Sequence, residues 1–123
     1  MGSRPLISIV DDDDGVRLAL RDMLASNGWS VADFASPEAF LADPASGTSA
    51  CVISDLQMPG MDGLALHRAL LARGEAPPLL LISAFASRVV HVQAARQGVQ
   101  AVLEKPFEAE ALLAAVARAT GRA

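Results

Sequence analysis

Short apolar runs alternate along this chain with longer stretches of mixed polarity. Runs of strand length fall at Leu6–Val10, Ser30–Phe34, Ala50–Ser54, Leu79–Ser83 and Ala101–Glu104. Three of them are nearly unbroken Val, Ile and Leu, the pattern of strands covered on both faces. The intervening stretches carry helix signals. Val16, Ala19, Leu20, Met23 and Leu24 share a helical spacing, and Gly28 suits the turn that ends such a helix. Ser36-Pro37-Glu38 joins a capping serine to a first-turn proline. Asp62 precedes a segment over Leu64–Arg73 that Gly74 ends, and Ser87 opens Arg88–Gln97, which Gly98 ends. Pro106 precedes Glu108–Thr120, rich in alanine and leucine, with acids in its first turn. Ala42–Ala50 reads as a plain loop.

Five strand–helix alternations with right-handed crossovers predict an α/β fold with a parallel sheet and helices on both faces. The expected architecture is a five-stranded doubly wound sheet of flavodoxin-like order 2-1-3-4-5 with five helices. The 123 residues make one domain, with residues 1–4 and 120–123 expected to be flexible ends. A formal charge of −4 excludes the basic footprint of a nucleic-acid binder. No apolar stretch is long enough to span a bilayer. The single cysteine, Cys51, lies in an apolar run and suits a buried position in a cytoplasmic protein.

Charge changes the picture at one place. Asp11, Asp12, Asp13 and Asp14 follow directly on the first strand. Two carboxylates about 4 Å apart repel by roughly 4 kcal/mol at an effective dielectric near 20, so such a knot needs water or a cation. The third strand delivers Asp55, the fourth ends in Ser83 and the fifth in Glu104-Lys105. In open α/β sheets, ligands bind at the carboxyl ends of the strands, beside the topological switch point. The second strand, which that order sends to the edge, ends in Phe34 with nothing reactive. Carboxylates that meet suit a hard divalent cation, and Mg²⁺ fits best. Lys105 is the one lysine among ten basic residues and adds a mobile point charge. A cation, a lysine and the Ser83 hydroxyl around Asp55 form a cradle for a phosphoryl group, with Asp55 as nucleophile. Asp13 and Asp14 read as helix-start residues. His67 and His91 read as surface residues on helices, and Trp29 and Phe40 as packing.

These residues resemble the receiver domains of two-component response regulators. The resemblance runs from about Pro5 to Ala119, through Asp11-Asp12, Asp55-Leu56-Gln57-Met58-Pro59-Gly60-Met61-Asp62-Gly63, Ser83-Ala84 and Lys105-Pro106-Phe107. It is nearest to receivers that precede a DNA-binding output domain of the nitrogen-fixation-regulator type. It implies that Asp55 takes a phosphoryl group from a phosphohistidine on a sensor histidine kinase. It further implies that Asp11, Asp12, Asp55 and the Gln57 backbone carbonyl hold Mg²⁺ (or Mn²⁺), that Lys105 pairs with the phosphoryl group, and that the Lys105–Pro106 peptide is cis. Ser83 is then expected to swing toward the phosphoryl oxygens and to rearrange the surface of the fourth helix, fifth strand and fifth helix, where a second copy or an output domain docks. Val89, Val90 and Val92 are mediocre helix formers and fit a labile fourth helix.

Two positions depart from the family pattern. Val102 stands where the family usually has Tyr or Phe, so no aromatic ring can swing there. Phe85, two residues past Ser83, stands where polar residues are common; screening of an acyl phosphate by this ring predicts slow self-dephosphorylation. Together with Ala84 and Pro106, these are the expected switch and modulating positions. The chain reads as a switch with self-catalysed phosphotransfer and autodephosphorylation, not as a turnover enzyme. Two alternatives stay open. A haloacid-dehalogenase-type phosphohydrolase also uses an Asp nucleophile, but wants an Asp where Gln57 stands. A non-phosphorylated docking module would need neither the acidic pair nor Lys105.

Overall fold

The structure, a computed structural model, describes residues 5–75 and 77–121. Five parallel strands, β1 (Leu6–Val10), β2 (Ser30–Phe34), β3 (Cys51–Asp55), β4 (Leu79–Ser83) and β5 (Ala101–Glu104), form one sheet in the order β2-β1-β3-β4-β5. The helices are α1 (Asp14–Ser26), α2 (Pro37–Leu41), α3 (Gly63–Ala72), α4 (Arg88–Gln97) and α5 (Ala109–Thr120). This is the doubly wound arrangement that the alternation predicts. Thr120 closes α5, its hydroxyl donating to the Val116 carbonyl at 2.8 Å. Gly121 caps the helix in the left-handed region, and the other expected loose ends, 1–4 and 122–123, lie outside the described residues.

Side-chain alternation along each strand builds two cores, one on each face. Ile7, Ile9, Cys51, Ile53, Leu80 and Ile82 point to α1 and α5 and pack with Leu20, Leu24, Leu112, Ala115 and Val116. Val10, Val52, Leu79 and Leu81 point the other way, against Phe40, Leu64, Leu66, Leu70 and Ala94 of α2, α3 and α4. Strands apolar on both sides leave no wet face, hence their unbroken hydrophobic runs.

Caps set the helix starts. Asp13, Ser36, Asp62 and Ser87 each accept a backbone N–H from the residue three positions on, which satisfies donors that no helical carbonyl can reach. Asp13 and Asp14 are thus helix-start residues, as their position suggests. The stretch 42–50 is not a plain loop. Asp43 caps a 3-10 helix at Pro44–Gly47.

The loop from β3 to α3 folds back tightly. Gly63 donates its N–H to the Leu56 carbonyl at 2.9 Å. A Cβ at Gly63 would lie 2.6 Å from the Asp55 carbonyl oxygen and 2.6 Å from Leu81 Cδ2. Only glycine lets α3 begin this close beneath Asp55.

A polar latch joins α3 to α4. The Gln97 amide nitrogen reaches the Leu64 carbonyl (3.0 Å) and His67 Nδ1 (2.9 Å), and its oxygen accepts from Arg68 Nη1 (2.9 Å). His67 is therefore a buried residue of the α3–α4 seam, not a surface one. Burial, reinforced by the Arg68 charge, pushes its pKa down, so the neutral ring accepts from Gln97. His91 is exposed as expected and faces Glu104 across the α4–β5 edge at 3.1 Å.

Candidate functional site

Parallel register carries the reactive residues to one rim. Val10 pairs with Ser54, Asp55 with Ile82, and Ser83 with Glu104, so residues just beyond these pairs share the carboxyl edge of the sheet. Asp55 is itself the last residue of β3, one position later than the apolar run suggests.

Asp11, Asp12 and Asp55 each present one oxygen within 4.8 Å of the others. Asp11 is fully buried, Asp55 half-buried and Asp12 exposed. Asp11 Oδ1 accepts the Asp13 N–H at 2.9 Å, while Asp11 Oδ2 is buried with no hydrogen-bond partner among the described residues. Leaving such an atom unpaired costs on the order of 1–3 kcal/mol. Lys105 Nζ lies 3.9 Å from Asp55 Oδ1. Burial raises the pKa of Asp11, opposed by the Asp13 amide and reinforced by the Asp55 charge. Burial also raises that of Asp55; Lys105 and the Gln57 and Leu56 amides oppose it, and the Asp12 charge adds to it. One lysine does not neutralise three carboxylates. An orphan buried oxygen, a converging all-oxygen set and residual negative charge are what a hard divalent cation such as Mg²⁺ or Mn²⁺ requires, and the residues fit that group.

The remaining predicted residues lie in the loop after β3, at and beyond the end of β4, and on or just after β5. Gln57 is exposed in the loop after β3. Ser83 is buried at the end of β4, and its carbonyl accepts the Lys105 N–H at 2.7 Å. The Ser83 hydroxyl turns to its own loop, donating to the Phe85 carbonyl (2.9 Å) and accepting the Phe85 N–H (3.1 Å). Ala84 and Pro106 are exposed, and the Lys105–Pro106 peptide is cis. Phe85 is 76% exposed in this conformation. Val102 is half-buried and packs with Val90 and Val99 against the α2–α4 core.

Sequence reasoning missed a second layer. Arg17 of α1 donates from Nη1 to the Asp11 carbonyl (2.9 Å), from Nε to Asp33 Oδ2 (2.9 Å) and from Nη2 to Asp14 Oδ1 (2.6 Å). Arg21 Nη1 donates to Asp33 Oδ1 at 2.6 Å. β2 has no reactive end, yet it supplies Asp33. An acid inside an otherwise apolar strand, with two arginines spaced one helical turn apart on α1, was the available signal.

A family model described as the response regulator receiver domain matches residues 7–117. The chain belongs to that family. The receiver is 37% identical over 119 residues to the C4-dicarboxylate transport transcriptional regulatory protein DctD of Rhizobium meliloti, covering 97% of this chain and 26% of DctD. It is 35% identical over 116 residues to the transcriptional regulatory protein FixJ of Azorhizobium caulinodans, covering 94% of this chain and 55% of FixJ. The chain thus spans about half or less of these relatives. Among solved structures, FixJ-N superposes with a TM-score of 0.86 at 33% identity, covering 100% of this chain and 98% of that one. The response regulator StyR superposes with a TM-score of 0.89 at 34% identity, covering 97% and 60%. Receiver domains of response regulators are signalling domains, and the five-stranded sheet described above is their fold. Among the described residues no helix is long and apolar enough to cross a membrane.

Proposed function

We propose that Asp55 is the phosphoacceptor of a cytoplasmic two-component switch, taking a phosphoryl group from a phosphohistidine on a sensor histidine kinase. The observation that carries this reading is the convergence of three carboxylates within 4.8 Å, with Lys105 Nζ 3.9 Å from Asp55 Oδ1. An Asp55 oxygen attacks phosphorus in line; the new O–P bond forms as the P–N bond to the donor imidazole breaks, and the imidazole leaves carrying the electron pair. Burial raises the Asp55 pKa, which makes its anion a better nucleophile than an exposed carboxylate. Lys105 follows the charge from the carboxylate to the transferred oxygens. Asp11, Asp12, Asp55 and the Gln57 carbonyl would hold a Mg²⁺ or Mn²⁺ ion, which when bound would supply the remaining positive charge.

Switching falls to Ser83. Its hydroxyl now serves the Phe85 main chain; turning it to the phosphoryl oxygens releases that loop and with it the start of α4. Val102 supplies no ring to gate the motion, so helix movement alone transmits it to the α4–β5–α5 surface, where a second copy or an output domain docks.

The test is incubation with acetyl phosphate or phosphoramidate plus Mg²⁺, read by intact mass. The receiver gains one labile phosphoryl group, and Asp55→Asn gains none. Steady substrate turnover would mark a phosphohydrolase instead; no adduct and no turnover would mark a docking module.

A further inference from the structure

We infer that Arg17 is a positioning residue for the cation site. It acts by holding the Asp11 main chain, and β2 takes part in the site through Asp33. The inference rests on the phosphoacceptor reading and deepens it.

Each nitrogen of the Arg17 guanidinium is spent on a different segment. Nη1 holds the Asp11 carbonyl at the end of β1, Nε holds Asp33 of β2 at 2.9 Å, and Nη2 holds Asp14 in the first turn of α1 at 2.6 Å. The side chain is only 13% exposed, and so is largely fixed. A main-chain bond from the Asp11 N–H to the Phe34 carbonyl, 3.1 Å, closes the same clasp from the other side. Asp11 is thereby gripped at its amide by β2 and at its carbonyl by Arg17. Its carboxylate is held at Oδ1 by the Asp13 N–H (2.9 Å), while the buried Oδ2 has no partner among the described residues, so the backbone grip and that one bond together decide where Oδ2 points.

The effect is one of geometry, not charge. Asp14 and Asp33 both pair with the guanidinium, so its charge is spent on them, and what it gives Asp11 is a hydrogen bond to the main-chain carbonyl. A planar fork holds its donors on three separate nitrogens in fixed directions and so reaches acceptors on three segments; an ammonium also has three donors, but all leave one compact nitrogen on a flexible stem and cannot span the same arrangement. Residues that orient ligands without touching the cation typically change affinity by about 10–100-fold when lost.

The experiment is a Mg²⁺ titration followed by amide-proton NMR, well below each variant's melting temperature, on wild type, Arg17→Ala, Arg17→Lys, Asp33→Asn and the double variant Arg17→Ala/Asp33→Asn. Arg17→Ala is expected to raise the Mg²⁺ Kd about tenfold, with Arg17→Lys close to it. Asp33→Asn is expected to weaken binding less, because it loosens the anchor only. The double variant should match Arg17→Ala, since both act through one clasp. If Arg17→Ala does not fold, Arg17→Lys and Asp33→Asn carry the test. Variants that lower the melting temperature yet bind Mg²⁺ like wild type overturn the inference, as does full rescue by Arg17→Lys. A wild type that binds no Mg²⁺ removes the phosphoacceptor reading itself, and this inference with it.

Discussion

Replacing Asp11 with Asn should stabilise the protein when no metal is present. One oxygen from each of Asp11, Asp12 and Asp55 lies within 4.8 Å of the others, and each charged pair at that distance repels by about 3–4 kcal/mol at an effective dielectric near 20. Asp12 is exposed, so water and salt screen its share. Lys105 and the Asp13 amide offset part of the remainder at Asp11. Asparagine keeps an oxygen for the Asp13 N–H and puts a donor where the orphan Oδ2 now sits. The net gain at neutral pH comes to about 1–2 kcal/mol.

The pH dependence fixes the sign. Asp11 and Asp55 both have folded pKa values raised above that of an ordinary aspartate, chiefly by burial. Between the unfolded and folded values, the native state holds protons that the unfolded chain has already released. This contribution to stability is therefore full below the unfolded pKa and is lost as pH rises through the raised folded values. Urea unfolding in EDTA, followed by fluorescence of Trp29, the only tryptophan, measures it at about pH 5 and about pH 7.5. Asp11→Asn should exceed wild type at the higher pH, with a smaller difference at the lower one. Mg²⁺ at 100 times its Kd should then add about 2.7 kcal/mol to wild type and reverse the order. A variant less stable than wild type in EDTA at the higher pH, or a difference that ignores pH, would refute the electrostatic account of the acidic cluster.

Three further outcomes follow from particular contacts. Gly63→Ala drives a Cβ to 2.6 Å from the Asp55 carbonyl oxygen and Leu81 Cδ2; it should cost about 1–3 kcal/mol in urea unfolding and weaken Mg²⁺ binding by displacing Asp55, and wild-type values on both counts would contradict this. Burial pushes the Cys51 thiol up to about 12, so iodoacetamide at neutral pH should leave native protein unlabelled and modify it only in urea; labelling of native protein at the rate of a free thiol would contradict the buried assignment. Phe85→Ala should shorten the lifetime of the acyl phosphate, measured by loss of the mass adduct, if the exposed ring closes over the site after phosphorylation. An unchanged decay assigns the ring no shielding role.

The strands and most helix ends were legible because each is written in local chemistry. Unbroken Val, Ile and Leu mark strands buried on both faces, and Asp13, Ser36, Asp62 and Ser87 announce their helices within three residues. Several boundaries shift by one residue, and the end of β3 is the instructive one. Asp55 pairs in the ladder with Ile82, yet its charge makes the strand look finished one residue early. The 3-10 turn after Asp43 escaped because four residues carry no periodicity. At the site, the residues whose chemistry singles them out were legible, while those that work by reaching across the fold were not. Arg17 meets Asp33 across sixteen residues and Gln97 meets His67 across thirty. Nothing local in either helix shows that contact, so a buried histidine passed for a surface one.

The latch on Gln97 gives α4 two unlike ends. The far end is moored to α3 by three side-chain hydrogen bonds; the near end follows the Ser83–Phe85 loop and carries exposed Val89. Ten helical residues make a rod about 15 Å long. Tilting that rod by about 10° around its moored tip would carry the near tip roughly 2–3 Å, by simple trigonometry on that length, while Gln97 itself stays in place. Displacement would then grow steadily toward the phosphoryl side, so a partner reading Arg88 and Val89 would feel most of the stroke and one reading Arg96 almost none.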